Sequence, residues 1–245
     1  MKQAIILFSA LFVLPTVCPA GGLTLEAEGG LLWQPRNDFR IPNTPGATEV
    51  DLSSLAGTGP YGAARLFVNW DVASTHRIQF TLAPLQISET VELPDETSFA
   101  GTVFEPGEAD AVYRFNSWRA GYSHLFHQGD HWSWRVGFTA KIRDAKISLS
   151  QDGLYAEKTD LGFVPLLYFR GEYSPCPRTR AALDFNGLAG GPGRAFDVSL
   201  KLIRDMTDRV SISAGYRTIE GGADVESVYS FAWLNYVVLG MEIRL

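Results

Sequence analysis

Hydrophobic and polar residues alternate along most of this chain with a period of two. The clearest stretch is 132–143, where Trp132, Trp134, Val136, Phe138, Ala140 and Ile142 fall on one side. Ser133, Arg135, Gly137, Thr139, Lys141 and Arg143 fall on the other. A helix would scatter both sets around its circumference, whereas a strand separates them completely. The same separation recurs in 23–33 (Leu23, Leu25, Ala27 and Leu31 against Thr24, Glu26 and Glu28), 64–71, 180–189, 195–204 and 209–218. Looser alternation marks 77–93, 111–124, 160–173 and 229–245, which brings the predicted strands to ten. In 111–124 the candidate apolar face is Trp118, Ala120 and Tyr122. Near Pro84 the alternation changes phase, and Pro165 interrupts the sixth strand. A β-bulge at each would re-aim the strand and accommodate the missing N–H.

The connections carry a second signal. Asp71–His76, His127–His131, Ser174–Thr179 and Asp205–Asp208 are short and hold turn chemistry such as Gly129-Asp130 and Ser174-Pro175. The other five, Gln34–Pro60, Pro94–Ala109, Ser150–Asp160, Gly190–Arg194 and Glu220–Ser227, read mostly as longer loops. Short and long alternate throughout, with both termini on the short side.

The start of the chain has a different character. Lys2 precedes an almost unbroken apolar run from Ala4 to Val17, and small residues stand at Cys18 and Ala20. This reads as a secretory signal cut after Ala20, with 21–245 as the mature unit. The run is shorter than the roughly 20 apolar residues of a spanning helix, and Pro15-Thr16-Val17 is a poor lipoprotein box. Without Lys2 and Cys18 the mature chain keeps 20 basic and 27 acidic residues, a formal charge of −7, and one cysteine, Cys176. No internal disulfide can then staple it. The whole chain has 46% apolar residues and a formal charge of −6, which excludes a disordered chain and a basic nucleic-acid binder.

Ten amphipathic strands fit two architectures. In a soluble sandwich or lipocalin-like barrel the apolar faces point inward; in a transmembrane barrel they face lipid and the polar faces line a lumen. Three features favour the second. The polar face mixes small residues with single charges of both signs. The apolar face places aromatics near strand ends, Trp33, Tyr216, Tyr229 and Phe231 toward the long loops and Trp70, Trp132, Tyr122 and Tyr173 toward the short turns, as two interfacial belts would require. Short turns on one side, long loops on the other and an even strand count complete the pattern. The sequence therefore predicts an all-β, closed antiparallel transmembrane β-barrel, an up-and-down meander of about ten strands.

Over 21–245 the chain resembles the bacterial outer-membrane β-barrel class. Trp233-Leu-Asn-Tyr-Val-Val-Leu-Gly-Met-Glu-Ile-Arg-Leu245 looks like the C-terminal assembly signal of that class, with Leu245 where the class commonly ends in Phe. The resemblance implies the outer membrane of a Gram-negative-type bacterium, with outer-membrane lipids and the barrel-assembly machinery as partners.

The candidate functional groups are the lumen charges Arg135, Lys141, Arg143, Arg170, Glu172, Asp184, Asp197, Lys201 and Arg217. Burial makes mutual pairing the plain expectation for them, and a narrow anion-favouring channel the alternative. His76, His124, His127 and His131 all map to the short-turn side, which argues against a His-dependent hydrolase at the outer face. A carboxylate-only site using Glu172, Asp197 or Glu220 stays open. His124, His127 and His131 with Asp130 could in principle hold Zn²⁺ or Cu²⁺, but a solvated turn explains them as well. Gly190-Gly191-Pro192-Gly193 and Gly221-Gly222 lack the strand–helix context of a phosphate loop, so no cofactor or catalytic residue is expected. The Gln34–Pro60 loop is an external recognition surface, a lid over the mouth or a simple solvated loop. The sequence thus points to a non-enzymatic envelope role: structure, narrow permeation or surface interaction. A barrel enzyme acting on lipid or peptide and a soluble periplasmic binding barrel are the alternatives.

Overall fold

The computed structural model describes residues 21–191 and 193–245; the expected signal sequence lies outside them. Their strands are β1 (Leu23–Arg40), β2 (Val50–Asp51), β3 (Tyr61–Asp71), β4 (His76–Ala83), β5 (Gln86–Leu93), β6 (Thr97–Phe99), β7 (Thr102–Phe104), β8 (Gly107–Gln128), β9 (Trp132–Gln151), β10 (Leu154–Cys176), β11 (Thr179–Gly190), β12 (Gly193–Asp205), β13 (Val210–Val225) and β14 (Val228–Arg244). One short helix, α1, spans Leu52–Leu55. With β4 and β5 counted as one interrupted strand, ten antiparallel strands form a ring that β14 closes against β1. Closure leaves the ring without an edge, the condition for crossing lipid, where water cannot satisfy open backbone groups.

The sidedness is that of a membrane barrel. Leu161, Phe163 and Leu239 are 76%, 65% and 67% exposed on the outer wall, whereas Glu28, Lys141, Asp197 and Arg217 are buried inside. This excludes the soluble barrel, which would reverse the two sets. Aromatic belts border the apolar band. Near the short turns Trp132 packs 4.6 Å from Tyr173 and 5.2 Å from Trp134. Trp134 also packs against Gly171, where a Cβ would come within 2.3 Å of the indole. Toward the other rim the Tyr229 and Phe231 rings pack at a tilt, 5.3 Å apart.

Neither proline makes a bulge. Ala83 pairs with Ser117 and Gln86 with Arg114, so β4 and β5 keep one register against β8 across Pro84. The backbone N–H of Leu85 there donates to Asn116 Oδ1 at 3.1 Å. β9 and β10 pair without a shift through Pro165, opposite Ala140. Pro165 is tolerated because β10 pairs with β11 only from Leu167 onward, leaving one of its edges unpaired there. Register shifts fall instead at Trp33/Arg36, Leu125/His127 and Tyr173/Cys176.

The phase change near Pro84 has another cause. Ile78, Phe80 and Leu82 face outward on β4, while on β5 the apolar residues Ile87, Val91 and Leu93 face inward and Gln86, Ser88 and Glu92 are exposed. The backbone has not turned over; its surroundings have. Below Pro84 the outside is lipid, and above it the outside is water and the inside an apolar core.

That core also corrects the expected loops. Three of the five long connections are tight turns, because the strands run on past the membrane: Gln151 pairs with Leu154, Gly190 with Gly193 and Val225 with Val228. Asp152 and Gly153 both have positive φ, the requirement of a two-residue hairpin turn. The two genuine loops fold inward. Gln34–Pro60 supplies Phe39, Ile41, Val50 and Leu52, and the β6–β7 hairpin supplies Phe99 and Phe104, to one buried cluster with Leu234 and Tyr236 of the wall. The Phe39 and Phe99 rings meet edge-on at 5.5 Å, and Thr48 and Ser98 exchange hydrogen bonds of 3.0 Å. α1 is capped by Asp51, which accepts from the Ser54 N–H at 3.2 Å. Burial raises the Asp51 pKa, but hydrogen bonds donated by Ser53 and Ser54 outweigh it and hold the carboxyl below its ordinary range.

One wall therefore offers two environments for the same substitution. We expect Phe80→Arg to cost roughly 2–4 kcal/mol of barrel stability, because it puts a charge on the lipid face. Ser88→Arg, above the boundary on the same wall, should change it by less than about 0.5 kcal/mol. Reversible urea unfolding in lipid vesicles measures both, and equal costs would contradict the boundary at Pro84.

Candidate functional site

The lumen holds two ionic layers beneath the apolar core. The upper one centres on Asp197, on β12, which the strand period turns inward and which is 3% exposed. Its carboxylate accepts from Arg119 at 2.7 Å, Arg217 at 2.7 Å and Arg65 at 3.3 Å. Arg217 also donates to Glu28 at 3.1 Å, and Lys201 bridges Glu26 and Glu28, the latter at 3.4 Å. Arg119 on β8 and Arg65 on β3 each lie four strands from β12 around a ring of ten. Their bonds to Asp197 therefore span the bore. Guanidiniums suit this role because they stay charged and donate in several directions at once.

The lower layer lies nearer the short turns. Arg170 pairs with Asp184 at 2.6 Å and with Glu172 at 2.5 Å, and Asp184 also accepts from Tyr168 at 2.9 Å. Arg77 forks onto Asp71 at 2.8 Å, with Arg135 3.8 Å from the same carboxylate. Arg180 joins Asp205 at 2.7 Å to Glu242 at 3.0 Å, and Arg244 meets Asp205 at 2.8 Å.

The nine expected lumen charges thus divide. Asp197, Lys201 and Arg217 belong to the upper layer, and Arg135, Arg170, Glu172 and Asp184 to the lower. Arg143 instead meets Asp160 in a partly exposed pair higher on the wall. Lys141 differs from the expectation of mutual pairing: among the described residues no carboxylate pairs with it, and its ammonium sits 4.5 Å from the centre of the Phe115 ring. Arg65, Arg119, Glu26 and Glu28 complete the upper layer. Arg119 was readable from its sequence, since it alternates with Trp118 and Ala120; what hid it was the irregular pattern of its strand.

The four histidines lie at the short-turn end. His76 pairs in register with His124, lies 2.6 Å from the Tyr122 hydroxyl, and its ring is 4.9 Å from that of His124. His131 Nδ1 is 3.0 Å from the carbonyl of Ser174. Among the described residues no group of three His, Cys, Asp or Glu side chains is arranged to hold a metal ion. Glu220, one of the three carboxylates left open as acids, is clasped by Arg194 at 2.6 Å at the outer rim. Glu172 and Asp197 are the other two; Glu172 pairs with Arg170, and Asp197 with three arginines.

No family model matches the chain, and no curated protein matches it. Among solved structures it is similar to the outer membrane protease OmpT from Escherichia coli, with a TM-score of 0.60 at 10% identity over 93% of this chain and 98% of that one. Ail, the attachment invasion locus protein of Yersinia pestis, aligns with a TM-score of 0.40 at 12% identity over 91% of this chain and 99% of its own. At such identities the likeness is one of fold, and the chain has the outer-membrane β-barrel fold.

Removing the central carboxylate tests the upper layer. Asp197→Asn strands three guanidiniums around a neutral amide and should cost roughly 3–5 kcal/mol. Glu157→Gln, which breaks a solvent-screened pair with Lys146, should leave the unfolding midpoint essentially unchanged. Urea unfolding of the refolded chains reads both.

Proposed function

We propose that this protein is a non-conducting, non-enzymatic barrel of the bacterial outer membrane, whose task is to hold its outer rim at the cell surface. The observation that carries this reading is the cross-bore network on Asp197, stacked beneath an apolar core that two inward-folded loops complete. The spaces beside the network are small: cavities of about 30, 20 and 10 Å³, each room for a water molecule or two. A permeating ion would have to break several charge-assisted bonds at once. Fold likeness to a protease leaves an enzyme as the competing reading. Against it stand the four histidines, gathered at the short-turn end, and the arginine partners of Glu172, Asp197 and Glu220. A paired carboxylate is a poor general base, because its charge is already satisfied. Planar-bilayer recording of the purified, refolded chain tests the proposal. We expect no discrete current steps; stepwise conductance that Asp197→Asn enlarges would establish a channel through the lumen instead.

A further inference from the structure

The two ionic layers differ in their charge balance. In the lower one, Arg77, Arg135, Arg170, Arg180 and Arg244 are matched by Asp71, Glu172, Asp184, Asp205 and Glu242. In the sealed upper layer, the cations Arg65, Arg119, Lys141, Lys201 and Arg217 meet only Glu26, Glu28 and Asp197. That leaves a formal excess of two positive charges away from water. Four of these cations share the three carboxylates. The fifth, Lys141, is 3% exposed and, among the described residues, has neither an ion pair nor a hydrogen-bond acceptor; its ammonium faces the Phe115 ring, and the nearby Asp197 carboxylate is taken up by three arginines. A cation–π contact offsets only a small part of what an ammonium loses with its hydration.

Lys141 lines a cavity of about 30 Å³ together with Arg119, Asn186 and Phe196; Asp197 and Glu220 line it too, their carboxylates held by Arg65, Arg119 and Arg217 and by Arg194. Arg119 uses Nε toward Ser117 and Nη2 toward Asp197, and its Nη1 takes part in neither bond. Two cationic side chains and an amide thus border a space of monatomic size beside those two arginine-held carboxylates, with Leu234 and Ile219 of the apolar core also lining it. We propose that this cavity is a binding site for a small monovalent inorganic anion, a halide such as chloride, seated against Lys141 beside Arg119. One bound halide supplies the partner Lys141 lacks and halves the excess charge of the layer. The site is a fixed structural one, lying between the ion network and the apolar core. It rests on the burial of Lys141 and not on the absence of conductance, so a conducting barrel could hold it equally.

The refolded full-length chain in detergent micelles tests this. Its unfolding midpoint is read as loss of the compact band on unheated gels, in sodium bromide, chloride or gluconate at equal ionic strength. Gluconate is too large to enter. The halides should raise the midpoint by several degrees over gluconate, in a saturable way, and Lys141→Met, similar in length but uncharged, should lose that response. Equal midpoints in halide and gluconate for the native chain would overturn the site. So would an undiminished halide response in Lys141→Met. If Lys141→Met does not fold, crystals of the native chain grown in bromide decide: an anomalous peak within hydrogen-bonding reach of the Lys141 ammonium supports the site, and no peak there overturns it.

Discussion

In lipid no solvent is available to satisfy a polar group, and every level of this structure follows from that shortage. The backbone must close on itself, so ten strands form a ring with β14 bonded to β1. Side chains that need water or a partner must turn inward, and those that need neither cover the outside. The inward charges then face the same shortage a second time, since the bore is too narrow to hydrate them. Asp197 resolves it by drawing guanidiniums from three other strands to one carboxylate. The barrel is thereby braced across its diameter, and its interior is spent on that bracing.

Where the outside becomes water, the logic inverts within a single strand pair. β4 carries its apolar residues outward and β5 carries them inward, on an unbroken register with β8. The protruding upper walls behave as a small soluble sheet wrapped around Phe39, Phe99 and Phe104. This division of labour gives the barrel a polar brace at membrane depth and an apolar stopper at the mouth. The outer rim is left free to carry charged and aromatic side chains, such as Arg36 and Arg194 around Phe231.

Much of this was readable from residue order alone, and the gaps have physical causes. A period of two fixes which residues share a face but not which face meets lipid; turn asymmetry and the aromatic positions decided that, and the exposed Leu161 and Phe163 agree. The same rule misread Pro84, because a change in apolar phase looks alike whether the strand slips or its surroundings change; Pro165 was misread because an unpaired strand edge absorbs a missing N–H without a bulge. Exposed Gln86, Ser88 and Glu92 opposite Ile87 and Val91 were the sign of changed surroundings at Pro84. Asp152-Gly153 is a strong hairpin dipeptide that the expectation of a long loop overrode. The cross-bore partners of Asp197 were hidden for a different reason, since residues four strands apart are related by closure and not by any local pattern. Lys141 was correctly turned inward by its period, yet nothing in the sequence could show that it finds no carboxylate there.

The most direct measurement is nitroxide scanning of positions 132–146 in lipid vesicles, on a Cys176→Ser background, with oxygen and a water-soluble nickel complex as relaxation agents. Oxygen accessibility should peak at even-numbered positions from 132 to 142 and be low at the odd ones, with the nickel complex taking over at 144 and 146. Peaks at 135, 139 and 141, or nickel access at 136 and 138, would contradict a lipid-facing apolar wall around a sealed ionic interior.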